Sequence, residues 1–147
     1  MRIYTNITKE KKALHEKIIG ASLPSTQALA YLGDAAYSLF VRRMLVEKGL
    51  SKAKDLNRET LKYVTAEAQA EMYRRIEPLL LDDEREVFRR AANSTHLNKP
   101  KHASVTDYRY ATGFEALIGM LVWIKDEERL EELLKEAHKE NRDDTEN

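Results

Sequence analysis

An all-helical, single-domain fold is predicted by three features of this sequence. Its 147 residues include only 5 Gly and 3 Pro, too little punctuation for a β-fold with its many turns. No stretch alternates apolar and polar residues as a half-buried strand would. Apolar residues recur instead at three- and four-residue spacing between helix-stopping signals. A chain of this length, 42% hydrophobic, builds one core and is too short for two comfortable domains.

Lys9 to Ile19 reads as a short helix stopped by Gly20, inside an N-terminal segment, 1–22, that flanks the domain. Leu23-Pro24-Ser25-Thr26 is a turn into a helix cap, with Ser25 or Thr26 able to accept hydrogen bonds from free N–H groups of the first turn. The helix that follows is expected from Thr26 to Lys48, on Leu29, Leu32, Ala36, Leu39 or Phe40, Val41 and Met44, with Gly49 ending it. A single amphipathic helix is expected from Ser51 to about Ile76, on Ala53, Leu56, Thr60, Val64, Ala68, Met72 and Ile76, with Pro78 beyond its end. Asp82 to Ala92 forms the next, acids in its first turn and Arg89-Arg90 in its last, both complementing the helix dipole. Asn93 to Val105 has turn formers and no period. Thr106 or Asp107 caps a helix through about Lys125, and a charged helix from Glu127 to Lys139 precedes a disordered acidic tail, 140–147. The main domain is therefore expected at 23–139.

The formal net charge of zero conceals a division along the chain. From Asp126 to Asn147 there are 10 acids and 4 bases, a local charge of −6, so residues 1–125 carry +6. A basic body is compatible with a polyanionic partner, which the whole-chain balance would have argued against. The absence of cysteine excludes disulfides, thiolate zinc sites and a thiol nucleophile. The N-terminus lacks the apolar run of a signal peptide and nothing approaches membrane-spanning length, so a cytoplasmic protein without a membrane partner is expected.

Two stretches carry the chemistry. Ala28-Leu-Ala-Tyr-Leu-Gly-Asp34-Ala35 and Thr112-Gly-Phe-Glu115-Ala-Leu-Ile-Gly119 each set one carboxylate in an apolar helical run with no cation nearby in sequence. Burying a lone ionised carboxylate is costly, so Asp34 and Glu115 are expected to meet and share a divalent metal ion. Few hard oxygen ligands with room for water suit Mg²⁺, which activates water and stabilises charge on phosphoryl oxygens. Gly33 and Gly119 lie on the same helices, although a helical glycine costs about 1 kcal/mol against alanine; a close helix crossing would account for both.

These residues resemble the ribonuclease III catalytic domain. Leu29-Ala-Tyr-Leu-Gly-Asp34-Ala35 is similar to its first acidic motif and Phe114-Glu115-Ala-Leu-Ile-Gly119 to its second, in the same order. The likeness is greatest to Mini-III, the small branch consisting of the catalytic domain alone. It implies an all-α homodimer that takes double-stranded or structured precursor ribosomal RNA, 23S precursor in particular. Metal-activated water would attack a phosphodiester, leaving a 3′-hydroxyl and a 5′-phosphate. Asp34 and Glu115 match the catalytic, metal-binding carboxylates, with Mg²⁺ as cofactor and Mn²⁺ able to substitute. Two further acids of the larger enzymes are replaced here by Ala30 and Thr112, as in Mini-III. Tyr31 matches an aromatic that inserts into the partner subunit; by spacing alone it equally fits a core aromatic. Lys99, Lys101 and His102, with Arg89 and Arg90 before them, match an RNA-contacting loop region and could neutralise phosphates. A ribosomal protein is a further partner the likeness allows.

Two other classes compete. A non-catalytic RNA-binding relative, structural in a ribonucleoprotein, would fit the loss of acids at Ala30 and Thr112; retention of Asp34 and Glu115 opposes it. A helical nucleotide pyrophosphohydrolase would use Glu127-Glu128 and Glu131-Glu132, but Leu130, Leu133 and Leu134 between them read as a solvated amphipathic end helix.

Overall fold

The computed structural model describes residues 22–94, 101 and 103–139. The expected helix at Lys9–Ile19, Lys99, His102 and the tail at 140–147 lie outside the described residues. Among the described residues there are six α-helices and no strand: α1 Thr26–Glu47, α2 Ala53–Val64, α3 Ala66–Ile76, α4 Asp82–Asn93, α5 Val105–Trp123 and α6 Glu127–Ala137, with a 3₁₀ turn at Glu77–Leu79 around Pro78. None is long and apolar enough to cross a membrane.

Helix α5 forms the centre. Its run from Ala116 to Leu121 is apolar on every face and wholly buried, and α1, α3, α4 and α6 pack against it. Its cap is Ser104, whose side chain accepts from the Asp107 N–H at 3.0 Å, two residues before the expected Thr106. Ser25 caps α1 as expected, accepting from the Ala28 N–H. Gly49, at φ +98°, follows the end of α1 in the left-handed conformation that glycine adopts without steric cost.

The buried face of α1 is a strict four-residue stripe, Leu29, Gly33, Tyr37, Val41 and Leu45. Leu39, counted with the apolar period, is instead 68% exposed. The expected single helix from Ser51 to Ile76 divides at Thr65, which is extended (φ −70°, ψ 156°) and whose hydroxyl accepts from the Ala68 N–H at 3.2 Å. Val64-Thr65 joins two β-branched residues to a strong capping side chain, so the backbone gains a cap by leaving the helix.

Helix α6 is not merely a solvated end helix. Arg129 is 1% exposed and forks the carboxylate of the fully buried Glu84, with Nε to Oε2 at 2.9 Å and Nη2 to Oε1 at 2.8 Å. Glu84 Oε1 also accepts from the Leu81 N–H at 2.8 Å, and Arg129 Nη2 donates to the Leu79 carbonyl at 2.9 Å. The corner between α3 and α4 is thereby tied to α6.

His138, at the end of α6, lies among the rings of Tyr37, Phe40 and Tyr63. Tyr37 donates its hydroxyl to the Tyr63 carbonyl at 3.0 Å, and His138 Nε2 sits 3.2 Å from that hydroxyl. Among the described residues the buried Nδ1 has no hydrogen-bond partner, so protonating it would bury an unmatched N–H. Burial, with Arg75 and Lys48 adding to it, pushes the imidazole down to about 4. In the unfolded chain histidine titrates near 6.5, so between about 6.5 and about 4 the unfolded state binds a proton that the folded state refuses. Stability is expected to fall as pH drops through that window and to owe nothing to this group above it. Urea midpoints at pH 7.5 and 5 should differ less in His138→Gln than in the native protein; equal differences would refute the assignment.

Candidate active site

Asp34 sits mid-way along α1 and Glu115 mid-way along α5. The two helices run antiparallel and touch backbone to backbone. A methyl group at Gly33 would overlap the Glu115 carbonyl oxygen, and one at Gly119 would overlap the Leu29 carbonyl oxygen. Both glycines are thus required by the close approach, and each stands on the helix turn that carries an acid. A helix crossing with larger residues there would hold the axes too far apart for the side chains to meet.

The side chains do meet. The Glu115 and Asp34 carboxyl groups lie close enough to share a proton. Burial, the bond to Asp34 and repulsion from that neighbouring carboxylate, in that order, push Glu115 up to about 8. Asp34 is exposed and Glu115 half-buried, so the pair opens to solvent from one side of the α1–α5 crossing. Two carboxylates close enough to share a proton are a set of hard oxygen donors with negative charge to be neutralised, and they fit a divalent cation in the proton's place. Ala30 and Thr112 add no acid: Thr112 spends its hydroxyl on the Tyr108 carbonyl at 3.0 Å.

A third residue was not foreseen. Gln69 of α3 is 3% exposed, and its side chain works against that upward push, favouring the ionised Glu115 carboxylate. A signal for it exists: Gln69, Met72, Tyr73 and Ile76 fall at i, i+3, i+4 and i+7, all buried, so an amide stands in an apolar stripe.

The remaining candidates are distributed elsewhere. Tyr31 is 85% exposed, which overturns the core reading of that residue. Arg89 and Arg90 are exposed near the end of α4, Arg89 held by Glu86 at 2.7 Å and 3.1 Å, and Lys101 is exposed. The side chains that shape Glu115 are Asp34 and Gln69, not any of these bases. Glu127, Glu128 and Glu131 of α6 face solvent.

Replacing Gly119 by Ala is expected to force α1 and α5 apart, costing about 1–3 kcal/mol of stability by overpacking. The same displacement should loosen the Asp34–Glu115 contact, so a variant that melts lower should also bind Mn²⁺ more weakly. A melting temperature and Mn²⁺ affinity both equal to native would show that the crossing tolerates a side chain.

The chain is similar to known proteins along most of its length. The family model described as "Ribonuclease III domain" matches residues 27–125, spanning both acids. The chain is 45% identical over 109 residues to a Mini-ribonuclease 3 of Symbiobacterium thermophilum, covering 74% of this chain and 84% of that protein. It is 41% identical over 119 residues to a Mini-ribonuclease 3 of Streptococcus pneumoniae, covering 80% and 93%. Among solved structures, a crystal structure of a Fusobacterium nucleatum protein superposes with a TM-score of 0.73 at 30% identity, covering 79% of this chain and 94% of that one.

Proposed function

The chain belongs to the ribonuclease III domain family, alongside Mini-ribonuclease 3 relatives, and from that premise we propose that it is a Mg²⁺-dependent endoribonuclease for double-stranded RNA, acting in the cytoplasm on 23S ribosomal RNA precursor. The observation that carries the reading is the contact between Asp34 and Glu115 across the glycine crossing. These two carboxylates would hold the cation, with Mn²⁺ as a substitute. A divalent ion there supplies activation of water and neutralises charge on the phosphodiester. Asp34 presents its carboxylate to solvent, where a phosphate group can approach; Glu115, half-buried, is the ligand whose position the protein itself controls.

Duplex binding draws on the exposed bases. Arg89, Arg90 and Lys101, with Lys99 and His102, would neutralise phosphates, and A-form RNA is recognised mainly through shape, phosphates and 2′-hydroxyls. The homodimer is supported by α1. Tyr31, Ala35, Leu39, Arg42 and Val46 recur at spacings of four, four, three and four, and all are exposed. A stripe that sets Tyr31, Leu39 and Val46 in water is a face suited to a second copy, with Tyr31 as the inserted aromatic.

The test is cleavage of a structured 23S precursor and of a plain RNA duplex. With Mg²⁺ both should be cut while single-stranded RNA survives, and a chelator should stop the reaction. Absence of cleavage on all duplex substrates with Mg²⁺ and with Mn²⁺ would refute the reading.

A further inference from the structure

We propose that Arg109 binds a phosphate of the RNA strand whose scissile phosphodiester lies at Asp34 and Glu115, so that α5 itself guides the strand to the acidic pair. This contact rests on the function proposed above and adds a residue to it.

Burial along α5 fixes the side from which Glu115 is reached. On a helix surface its neighbours stand three and four positions away, at Ala111, Thr112, Ile118 and Gly119. Ala111, Ile118 and Gly119 are buried, Gly119 against the Leu29 backbone of α1, and of the four only Thr112 reaches water. The open surface of α5 therefore leads away from Glu115 through Thr112. The same step taken from Thr112 meets Ala116, which is buried, Tyr108, which is half-buried, and Arg109, which is exposed. Arg109, Thr112 and Glu115 thus form one three-residue row of the helix surface. The helical rise sets Arg109 about 9 Å from Glu115 along the axis.

The charge of Arg109 is not engaged within the fold. Arg74, on the adjoining α3, is held by Asp107 at 3.1 Å and by Glu71 at 3.5 Å, and lies over the Tyr110 ring. Arg75 donates to the Ala137 carbonyl, Arg85 to the Leu80 carbonyl and Arg89 to Glu86. The Arg109 side chain has no ion pair or hydrogen bond among the described residues. Arg42 and Arg90 are likewise unpaired, but they stand on α1 and α4 and not on this row. An exposed guanidinium without an acid beside it is open to an anion from outside, and its planar fork matches phosphate oxygens with two parallel bonds. The row therefore ends in opposite charges, carboxylates suited to a divalent cation and a guanidinium suited to phosphate. A nucleic-acid strand calls for both, because the phosphates beside the one at the cation carry full negative charge and bind through cationic side chains.

The test measures binding of a labelled RNA duplex over a series of salt concentrations, with a chelator present so that no strand is cut. Arg109→Ala should bind roughly tenfold more weakly, and its plot of log affinity against log salt should be shallower by about one unit, because one phosphate contact and its released counterion are lost. Arg109→Lys, which keeps the charge, should restore the slope. With Mg²⁺ present, Arg109→Ala should raise KM for the duplex and leave kcat and Mn²⁺ affinity native. Lys125→Ala is the control, an exposed lysine past the opposite end of α5, and it should leave the slope unchanged. Equal loss of slope in both alanine variants would mean that any surface charge serves, and native affinity and slope in a folded Arg109→Ala would mean that the guanidinium meets no phosphate; either result overturns the proposal. Should circular dichroism show Arg109→Ala unfolded, Arg109→Gln is judged by the same outcomes. Failure of the nuclease reading looks different. A native protein that binds the duplex but cuts none with Mg²⁺ or Mn²⁺ rejects that reading, while a shallower slope in Arg109→Ala still upholds the contact; a native protein that binds no duplex rejects both.

Discussion

Asp34→Asn is expected to lower the rate of duplex cleavage by on the order of 10³-fold, the several kcal/mol that a positioned cation contributes to a phosphodiester transition state. Glu115→Gln should behave alike. Both substitutions keep size and shape; Glu115→Gln replaces a half-buried carboxyl that resists ionisation with a neutral amide, and Asp34→Asn removes the carboxylate that repels it, so neither should lower the melting temperature of the metal-free protein. They should differ from the native protein in another way. Mn²⁺ held by the proposed pair would stabilise the folded state and raise the native melting temperature by mass action, and that rise should vanish in both variants. The combination is diagnostic: loss of activity with unchanged metal-free stability and no metal-induced shift locates the defect in the ion site. Cleavage by Asp34→Asn within about tenfold of native would remove it from the catalytic set.

What the sequence disclosed about this site follows from how anomalies stand out. A carboxylate among Ala, Leu, Ile and Gly is visible in a linear reading because its neighbours are apolar, and this holds for both Asp34 and Glu115. Gly33 and Gly119 are visible for the same reason, each being costly in a helix. Glu84 and Arg129 were missed because they stand in charged runs of a chain 34% charged, which hides a buried polar residue among solvated ones, and Gln69 because Ala68 and Ala70 beside it are small and Glu67 and Glu71 beyond them are charged. Each nonetheless sits on an apolar helical stripe. Glu84 leads Val87, Phe88 and Ala91, and Arg129 leads Leu133 and Ala137, at three-, four-, seven- and eight-residue spacings. What periodicity does not reveal is the partner: Arg129 and Glu84 are 45 residues apart, and only the packing of α6 onto the α3–α4 corner joins them. The division at Thr65 was obscured differently, since the apolar period runs on across the break and a capping threonine is indistinguishable in sequence from a helical one.

The buried pair carries the largest expected effect on stability. Arg129→Met leaves Glu84 as an ionised carboxylate with no cation in reach, at a position 0% exposed to water. Removing one partner of such a pair costs about 3–5 kcal/mol, against a total stability of about 5–15 kcal/mol for a domain of ordinary size. Glu84→Gln should cost less. Its amide oxygen can still accept from the Leu81 N–H and from the guanidinium, and Arg129 keeps the Leu79 carbonyl at 2.9 Å and Glu132 at 3.6 Å. The double variant should therefore be more stable than the sum of the single losses predicts, because each single variant strands a group that the double one no longer has. Urea unfolding of the four proteins measures this coupling directly. A loss below about 1 kcal/mol for Arg129→Met would mean that Glu84 escapes to water or takes up a proton at little cost, and the fork would then not be what fixes α6 to the corner at Leu79–Glu84.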